Sequence, residues 1–292
     1  MKIVVLGSKG QVGSRLEGAL ACFAEVKGFD HAALDLGNPD AVRSALRSER
    51  PDVVVNAAAY TDVDAAERDE ATATRVNGDA VAAIGKECRD LRAGLVHYST
   101  DFVFDGRQSR PYREDAPTAP LGAYGRSKLA GERALLDARA PAIILRTAWV
   151  YSLRRKSFVS SILRLARERD VLEIVADQVG SPTFAGDLAS ATALIIYGLR
   201  GDPHGEFGDA RGVYHLAGGG AATRFELASA AIALDPRKQE HRVTRLEPVA
   251  TADYPLPAPR PAFAPLDCRK ARDRFGVCLP DWKDALARAL CE

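Results

Sequence analysis

Lys2–Leu6 (KIVVL) is apolar after its first residue, shows no alternation, and runs straight into Gly7-Ser8-Lys9-Gly10-Gln11-Val12-Gly13, a G-x-x-G-x-x-G turn. Beyond the turn, Leu16 and Leu20 follow Val12 at intervals of four, the apolar stripe of a helix. A strand without polar alternation is buried on both faces, as in a parallel sheet covered by helices. Glycines between such a strand and helix permit a tight turn and close backbone approach to a pyrophosphate. The helix N-terminus adds unpaired N–H groups and a partial positive charge. This opening confines the chain to an α/β fold and points to a dinucleotide.

The same alternation continues. Strands are predicted at Glu25–Phe29, Asp52–Val55, Gly94–Tyr98 and Ala142–Arg146, with helices at Pro39–Ser48, Ala71–Leu91 and Tyr124–Ala138. Repeated strand–helix units with short connections give an α/β, doubly wound parallel Rossmann-type sheet. After Trp149 the rhythm loosens into helices at Phe158–Arg167, Gly186–Leu199, Arg224–Leu234 and Asp281–Leu290 and isolated strands at Leu172–Val175 and Val213–Leu216. The run Tyr254-Pro255-Leu256-Pro257-Ala258-Pro259-Arg260-Pro261 cannot be helical and reads as an extended surface loop. The expected division is a dinucleotide-binding lobe over 1–149 and a smaller mixed α/β substrate lobe over 150–292, with the chain crossing between them.

Charge and cysteine usage exclude other classes. Forty basic and 39 acidic side chains leave a net charge of +1, without the basic excess of a nucleic-acid surface. The first apolar run ends at Gly7, short of a signal-peptide core, and the uncharged stretch Leu188–Leu199 is too short to span a membrane. Cys22, Cys88, Cys268, Cys278 and Cys291 have no C-x-x-C spacing. They read as reduced thiols of a cytoplasmic protein, and no His or carboxylate spacing suggests a metal.

Two further groups carry chemistry. Asp30 closes the second strand, where a carboxylate can accept bonds from the adenosine ribose and favour NAD(H). Lys9, inside the glycine turn, could instead pair with a 2′-phosphate and favour NADP(H), so the preference between NADP(H) and NAD(H) stays open. Tyr124 and Lys128 lie four apart on one helix face. A neighbouring ammonium is expected to lower the phenol pKa from near 10 so that it exchanges protons near neutrality. Ser99-Thr100-Asp101 ends the preceding strand, where a hydroxyl can bond both phenol and substrate oxygen.

Further runs extend this set: Asn56-Ala57-Ala58-Ala59-Tyr60-Thr61, Ser99-Thr100-Asp101-Phe102-Val103-Phe104-Asp105-Gly106, Arg146-Thr147-Ala148-Trp149-Val150-Tyr151, Asp177-Gln178-Val179-Gly180-Ser181-Pro182-Thr183, Arg260-Pro261 and Leu279-Pro280-Asp281-Trp282. With the glycine turn and the Tyr124/Lys128 pair, they resemble the extended short-chain dehydrogenase/reductases and, within these, the dTDP-4-dehydrorhamnose reductase family. The resemblance covers nearly the whole chain. It implies NAD(P)H-dependent reduction of the C4 ketone of dTDP-4-dehydro-L-rhamnose to dTDP-L-rhamnose. It places Gly10, Gln11 and Val12 on the cofactor pyrophosphate, within the turn shaped by Gly7 and Gly13, and Asp30 on the ribose. Asp35 and Leu36 would border the adenine, and Ala59, Tyr60, Thr61 and Tyr98 the rest of the cofactor path. Thr100, Tyr124 and Lys128 would form the catalytic set, the last two also touching cofactor. Thr100, Asp101 and Trp149 would touch the sugar nucleotide, with Arg260 as a diphosphate partner.

The implied partner is a small-molecule sugar nucleotide, not nucleic acid or a membrane, for a monomer or homodimer. The chain departs from the family where glycine often follows Trp-Val-Tyr. It carries Ser152 and then Leu153-Arg154-Arg155-Lys156, which reads as solvated surface. A related 4,6-dehydratase would place Glu after Thr-Asp; Phe102 stands there and cannot move a proton, which argues against dehydration. Retention of Thr100, Tyr124 and Lys128 together argues against a non-catalytic regulatory subunit.

Overall fold

A computed structural model describes residues 1–292. Strands β1 (Lys2–Leu6), β2 (Glu25–Phe29), β3 (Val53–Asn56), β4 (Gly94–Thr100) and β5 (Ala142–Thr147) are interleaved with helices α1 (Gly13–Ala21), α2 (Pro39–Glu49), α3 (Val63–Arg68), α4 (Glu70–Thr74), α5 (Ala80–Leu91) and α6 (Ala123–Asp137). There follow β6 (Val150–Tyr151), α7 (Phe158–Glu168), β7 (Val171–Val175), β8 (Val179–Gly180), β9 (Thr183–Phe184), α8 (Ala185–Gly198), α9 (Pro203–Asp209) and β10 (Gly212–His215). The chain closes with β11 (Ala222–Thr223), α10 (Arg224–Leu234), β12 (Arg245–Val249), α11 (Arg269–Phe275) and α12 (Trp282–Leu290).

Six strands form one parallel sheet in the order β10-β5-β4-β3-β1-β2. The continuous apolar runs are explained by its two covered faces. Ile3 and Val5 of β1 join the core under α1 and α8, whereas Val4 and Leu6 join the core under α2 and α5. Because side chains alternate across a strand, each apolar neighbour serves a different layer. The chain moves from β1 outward to β2 and then returns to the other side of β1 as β3. Such a reversal leaves a crevice at the strands' carboxyl ends, the usual ligand position of open α/β sheets.

Two differences from the predicted elements bear on the site. The stretch expected as one helix over Ala71–Leu91 is α4 and α5 joined by a π-helical turn at Arg75–Asp79. The sheet also takes its sixth strand, β10, from residues 212–215, and α8 covers the β1 side with Leu188, Ile195 and Ile196. Both segments lie on the first sheet although they follow residue 150 in the chain. The apolar Leu188–Leu199 stretch is this covering helix, and no helix is long and apolar enough to cross a membrane. The smaller lobe pairs β12 with β7, β11 with β8 and β6 with β9, over a core that includes Tyr151, Leu163, Leu227, Trp282 and Leu286.

Candidate active site

The crevice opens into a cavity of about 940 Å³ bounded by both lobes. Gly7, Gly10, Gln11 and Val12 form one end. Gly7 has φ +78° and sits where a Cβ would lie 2.7 Å from the Ala58 backbone, so both its conformation and its lack of a side chain are required. Gly13 does not line the cavity; a Cβ there would strike the Gly7 carbonyl, so it holds α1 against the turn. The amides of Gln11 and Val12 have no backbone acceptor, α1 has no side-chain cap, and the buried Gln11 Oε1 is unpartnered. A helix N-terminus left open in this way suits an anionic group, and a dinucleotide pyrophosphate fits it.

Farther along this wall, Asp30 accepts the Ala33 amide at 2.9 Å and is ion-paired with Lys9. The two opposed cofactor signals therefore neutralise each other; Lys9, first, and the Ala33 amide keep the Asp30 carboxyl below its usual range. Asp35 and Leu36 line the same end, with Leu36 buried and Asp35 accepting the Gly37 amide at 2.8 Å.

The π turn accounts for the placement of the Ala59-Tyr60-Thr61 rim. It turns Asn77 inward, where Oδ1 accepts the Tyr60 amide at 2.9 Å and Nδ2 donates to the Tyr60 carbonyl at 3.0 Å. Asn77 Nδ2 also donates to Ser127 Oγ at 3.0 Å, tying that rim to α6. One buried amide thus fixes the cofactor rim relative to the helix carrying Tyr124 and Lys128.

Thr100, Tyr124 and Lys128 meet at the cavity's middle. Thr100 caps a short 3-10 turn over Asp101–Val103: its oxygen accepts the Phe102 amide at 3.1 Å, and its hydroxyl donates to Asp101 Oδ1 at 3.0 Å. Phe102 packs edge-to-face on Tyr124 with centroids 5.6 Å apart. Ser99 turns away, donating to Glu132, which is locked to Arg146 by bonds of 2.9 and 2.6 Å.

Contrary to what the helical spacing suggests, the Tyr124 phenol is not drawn down by Lys128. Lys128 Nζ donates to the Tyr98 carbonyl at 2.6 Å, and burial draws the ammonium down to about 8. Burial, then the Asp101 carboxylate, push the Tyr124 phenol up to about 12, with Thr100 working the other way. Desolvation outweighs the helical neighbour, so the phenol stays protonated at neutral pH. Asn56 Nδ2 lies 3.1 Å from His97 Nδ1 while Asn56 Oδ1 accepts the Ala58 amide at 3.2 Å. That leaves the imidazole proton on Nε2, facing Lys128 Nζ at 3.4 Å. The Tyr98 carbonyl is then the ammonium's one protein acceptor, and two of its N–H groups remain for a ligand. Tyr98 serves the site through this carbonyl; its phenol points into the core, 2.7 Å from Thr192.

The same cavity is lined by Asp101, Trp149 and Arg260, together with Arg155, Lys156 and Arg224, which the sequence motifs do not single out. Arg155 and Lys156 were read as solvated surface; they are exposed but stand at the cavity rim. Arg260 is already engaged: it pairs with Asp64 at 3.1 and 2.8 Å and donates to the Ala258 carbonyl at 2.6 Å. Trp149 has φ +45°, a strained setting for a bulky residue and one that concentrates at functional positions. Arg224 stacks on its indole, 3.5 Å from Cζ to the ring centroid. The signal available in sequence, Thr223-x-x-Glu226 opening α10, marks a helix start and says nothing of a tryptophan 75 positions earlier.

Fold and site together define a Rossmann-type oxidoreductase of the extended short-chain dehydrogenase/reductase class. Residues 1–292 match the family model described as RmlD substrate binding domain. A dTDP-4-dehydrorhamnose reductase of Burkholderia thailandensis is 43% identical over 290 residues, covering 98% of this chain and 97% of its own. The chain belongs to this family, the dTDP-4-dehydrorhamnose reductases. A Streptomyces antibioticus protein described as a probable dTDP-4,6-dihydroxy-2-methyloxan-3-one 4-ketoreductase is 40% identical over 294 residues, covering 99% and 94%. The solved dTDP-4-dehydrorhamnose reductase of Bacillus anthracis, in complex with NADP, has a TM-score of 0.88 at 30% identity, covering 99% and 98%.

Proposed function

We propose that the protein reduces the C4 ketone of dTDP-4-dehydro-L-rhamnose to dTDP-L-rhamnose, with Tyr124 as proton donor. The observation that carries this reading is that Thr100, Tyr124 and Lys128 line the same cavity as an open, glycine-shaped helix N-terminus. Gly10, Gln11 and Val12 would hold the cofactor pyrophosphate, Asp30 the ribose, and Lys128 the nicotinamide ribose. Bound NADPH or NADH supplies the hydride. Thr100 would turn its one O–H from Asp101 to the C4 oxygen, and Tyr124 donates its proton there as negative charge develops. A phenol that holds its proton at neutral pH suits this direction, and transfer is still downhill because an alkoxide is a stronger base than a phenolate. Phe102, where an acid–base carboxylate would be needed for dehydration, packs the donor ring instead.

The test is cofactor oxidation with dTDP-4-dehydrorhamnose, run separately with NADPH and NADH because Asp30 and Lys9 are mutually paired. Stoichiometric oxidation and a dTDP-rhamnose product are expected; absence of turnover with both cofactors overturns the reading. The relative described as a 4-ketoreductase of a different dTDP sugar favours a second arm with other dTDP-4-keto-6-deoxyhexoses. A kcat/KM higher there would reassign the sugar and keep the chemistry.

The site also implies a pH profile. Lys128 loses its proton as pH passes about 8, and with it the charge that holds the ribose. The kcat/KM of the enzyme is therefore expected to fall on the alkaline side with an apparent pKa near that value. For stability the sign is separate: this lysine's folded pKa is depressed, so its contribution is present above the unfolded value, near 10.4, and lost as pH falls through about 8. A rate profile flat through that range removes Lys128 deprotonation from the limiting step.

A further inference from the structure

Two guanidinium groups face the sugar-nucleotide end of the cavity, and they are held differently. Arg260 is fixed by both oxygens of Asp64, and the same carboxylate accepts the Ala258 amide at 3.0 Å. This set pins the end of the proline-rich run to α3. Arg224 has no carboxylate within ion-pair distance. Its guanidinium lies over Trp149, with the Phe158 ring centroid 5.0 Å away. Its backbone is fixed as well: Thr223 and Glu226 form a capping box at 3.0 and 2.7 Å, and the Arg224 amide reaches the Gln178 carbonyl at 3.3 Å.

We propose that Arg224, presented on Trp149, is the guanidinium that recognises the diphosphate of the sugar nucleotide, and that Arg260 acts through Asp64 as the latch of the 254–261 loop. The inference rests on the sugar-nucleotide reading above. A stacked guanidinium keeps its in-plane N–H groups available, and its planar fork matches phosphate oxygens. A partly buried cation without an ion-pair partner is costly, and an entering anion relieves that cost. Asp101 is the acidic group that faces Arg224; burial pushes its carboxyl up to about 6, and it stands outside ion-pair distance of the guanidinium. Arg260 is the like charge on the opposite side.

The test uses the full chain carrying Arg224→Gln or Arg224→Lys, with thermal melting to establish folding. Loss of a charge-assisted contact is expected to weaken dTDP binding and raise the keto-sugar KM by about tenfold to a hundredfold. Thymidine affinity, NADPH affinity and, within a few-fold, kcat should be retained. Arg224→Lys should recover only part of the loss, because an ammonium cannot stack as a plane. Asp64→Asn should disturb dTDP binding less than Arg224→Gln does. Unchanged dTDP binding in a folded Arg224→Gln variant overturns the proposal, even with reduction intact. Equal losses for thymidine and dTDP also overturn it, since they would place Arg224 at the nucleoside. A wild-type chain that fails to reduce the keto sugar but binds dTDP through Arg224 overturns the reductase reading and supports the diphosphate contact.

Discussion

Tyr124→Phe is expected to lower kcat on the keto sugar by about 10²–10⁴-fold, the usual worth of a positioned general acid, while cofactor affinity stays near wild type. The substitution removes only the phenolic O–H. The ring keeps its edge-to-face contact with Phe102, and its backbone position in the first turn of α6 is unchanged. Lys128 does not depend on the phenol, because its ammonium is anchored by the Tyr98 carbonyl. Single-turnover cofactor oxidation, together with a fluorescence titration of NADPH, separates the chemical step from binding. Turnover within a few-fold of wild type would remove Tyr124 from the proton transfer.

The second large effect is on stability. Glu132, Arg146 and Ser99 form a buried cluster in which both charged side chains are at most 5% exposed. It joins the end of β4, next to Thr100, to α6 and β5. Glu132→Ala would leave the Arg146 guanidinium buried without its partner, with one of its nitrogens, Nη1, already unbonded. Breaking such a pair from one side costs about 3–5 kcal/mol, a large share of the roughly 5–15 kcal/mol that stabilises a typical protein. The urea midpoint should fall accordingly with little change in slope. The double variant Glu132→Leu/Arg146→Met should recover much of the loss, since the penalty comes from the uncompensated charge. A single-variant midpoint equal to wild type would show that water or another group reaches the guanidinium.

How much of this was legible in the sequence depended on how local each cause is. Lys2–Leu6 and Val53–Val55 announced a doubly covered sheet because each strand meets a core layer on both faces. The glycine turn and the Tyr124/Lys128 pair were legible because each is confined to one short segment. The π turn at Arg75–Asp79 was not, since one lengthened turn leaves the helical composition unchanged. Its product, Asn77 clasping Tyr60, was hidden for the same reason. The phenol's pKa was misjudged because spacing reports a neighbour but not desolvation. Arg224 on Trp149 and Arg260 on Asp64 join segments 75 and 196 residues apart, and nothing within either segment announces the other.

The position of β10 has a consequence for how the chain comes to exist. As it leaves the ribosome, β5 remains an open sheet edge until residue 215 has emerged, because its outer neighbour is Gly212–His215. By then β6 through β9 and helices α7 through α9 have also been made. An exposed edge strand is a template for pairing with other chains, so completion of the cofactor layer has to wait on segments belonging to the opposite wall. The sheet that carries the glycine turn is therefore finished only by a strand synthesised after much of the second lobe.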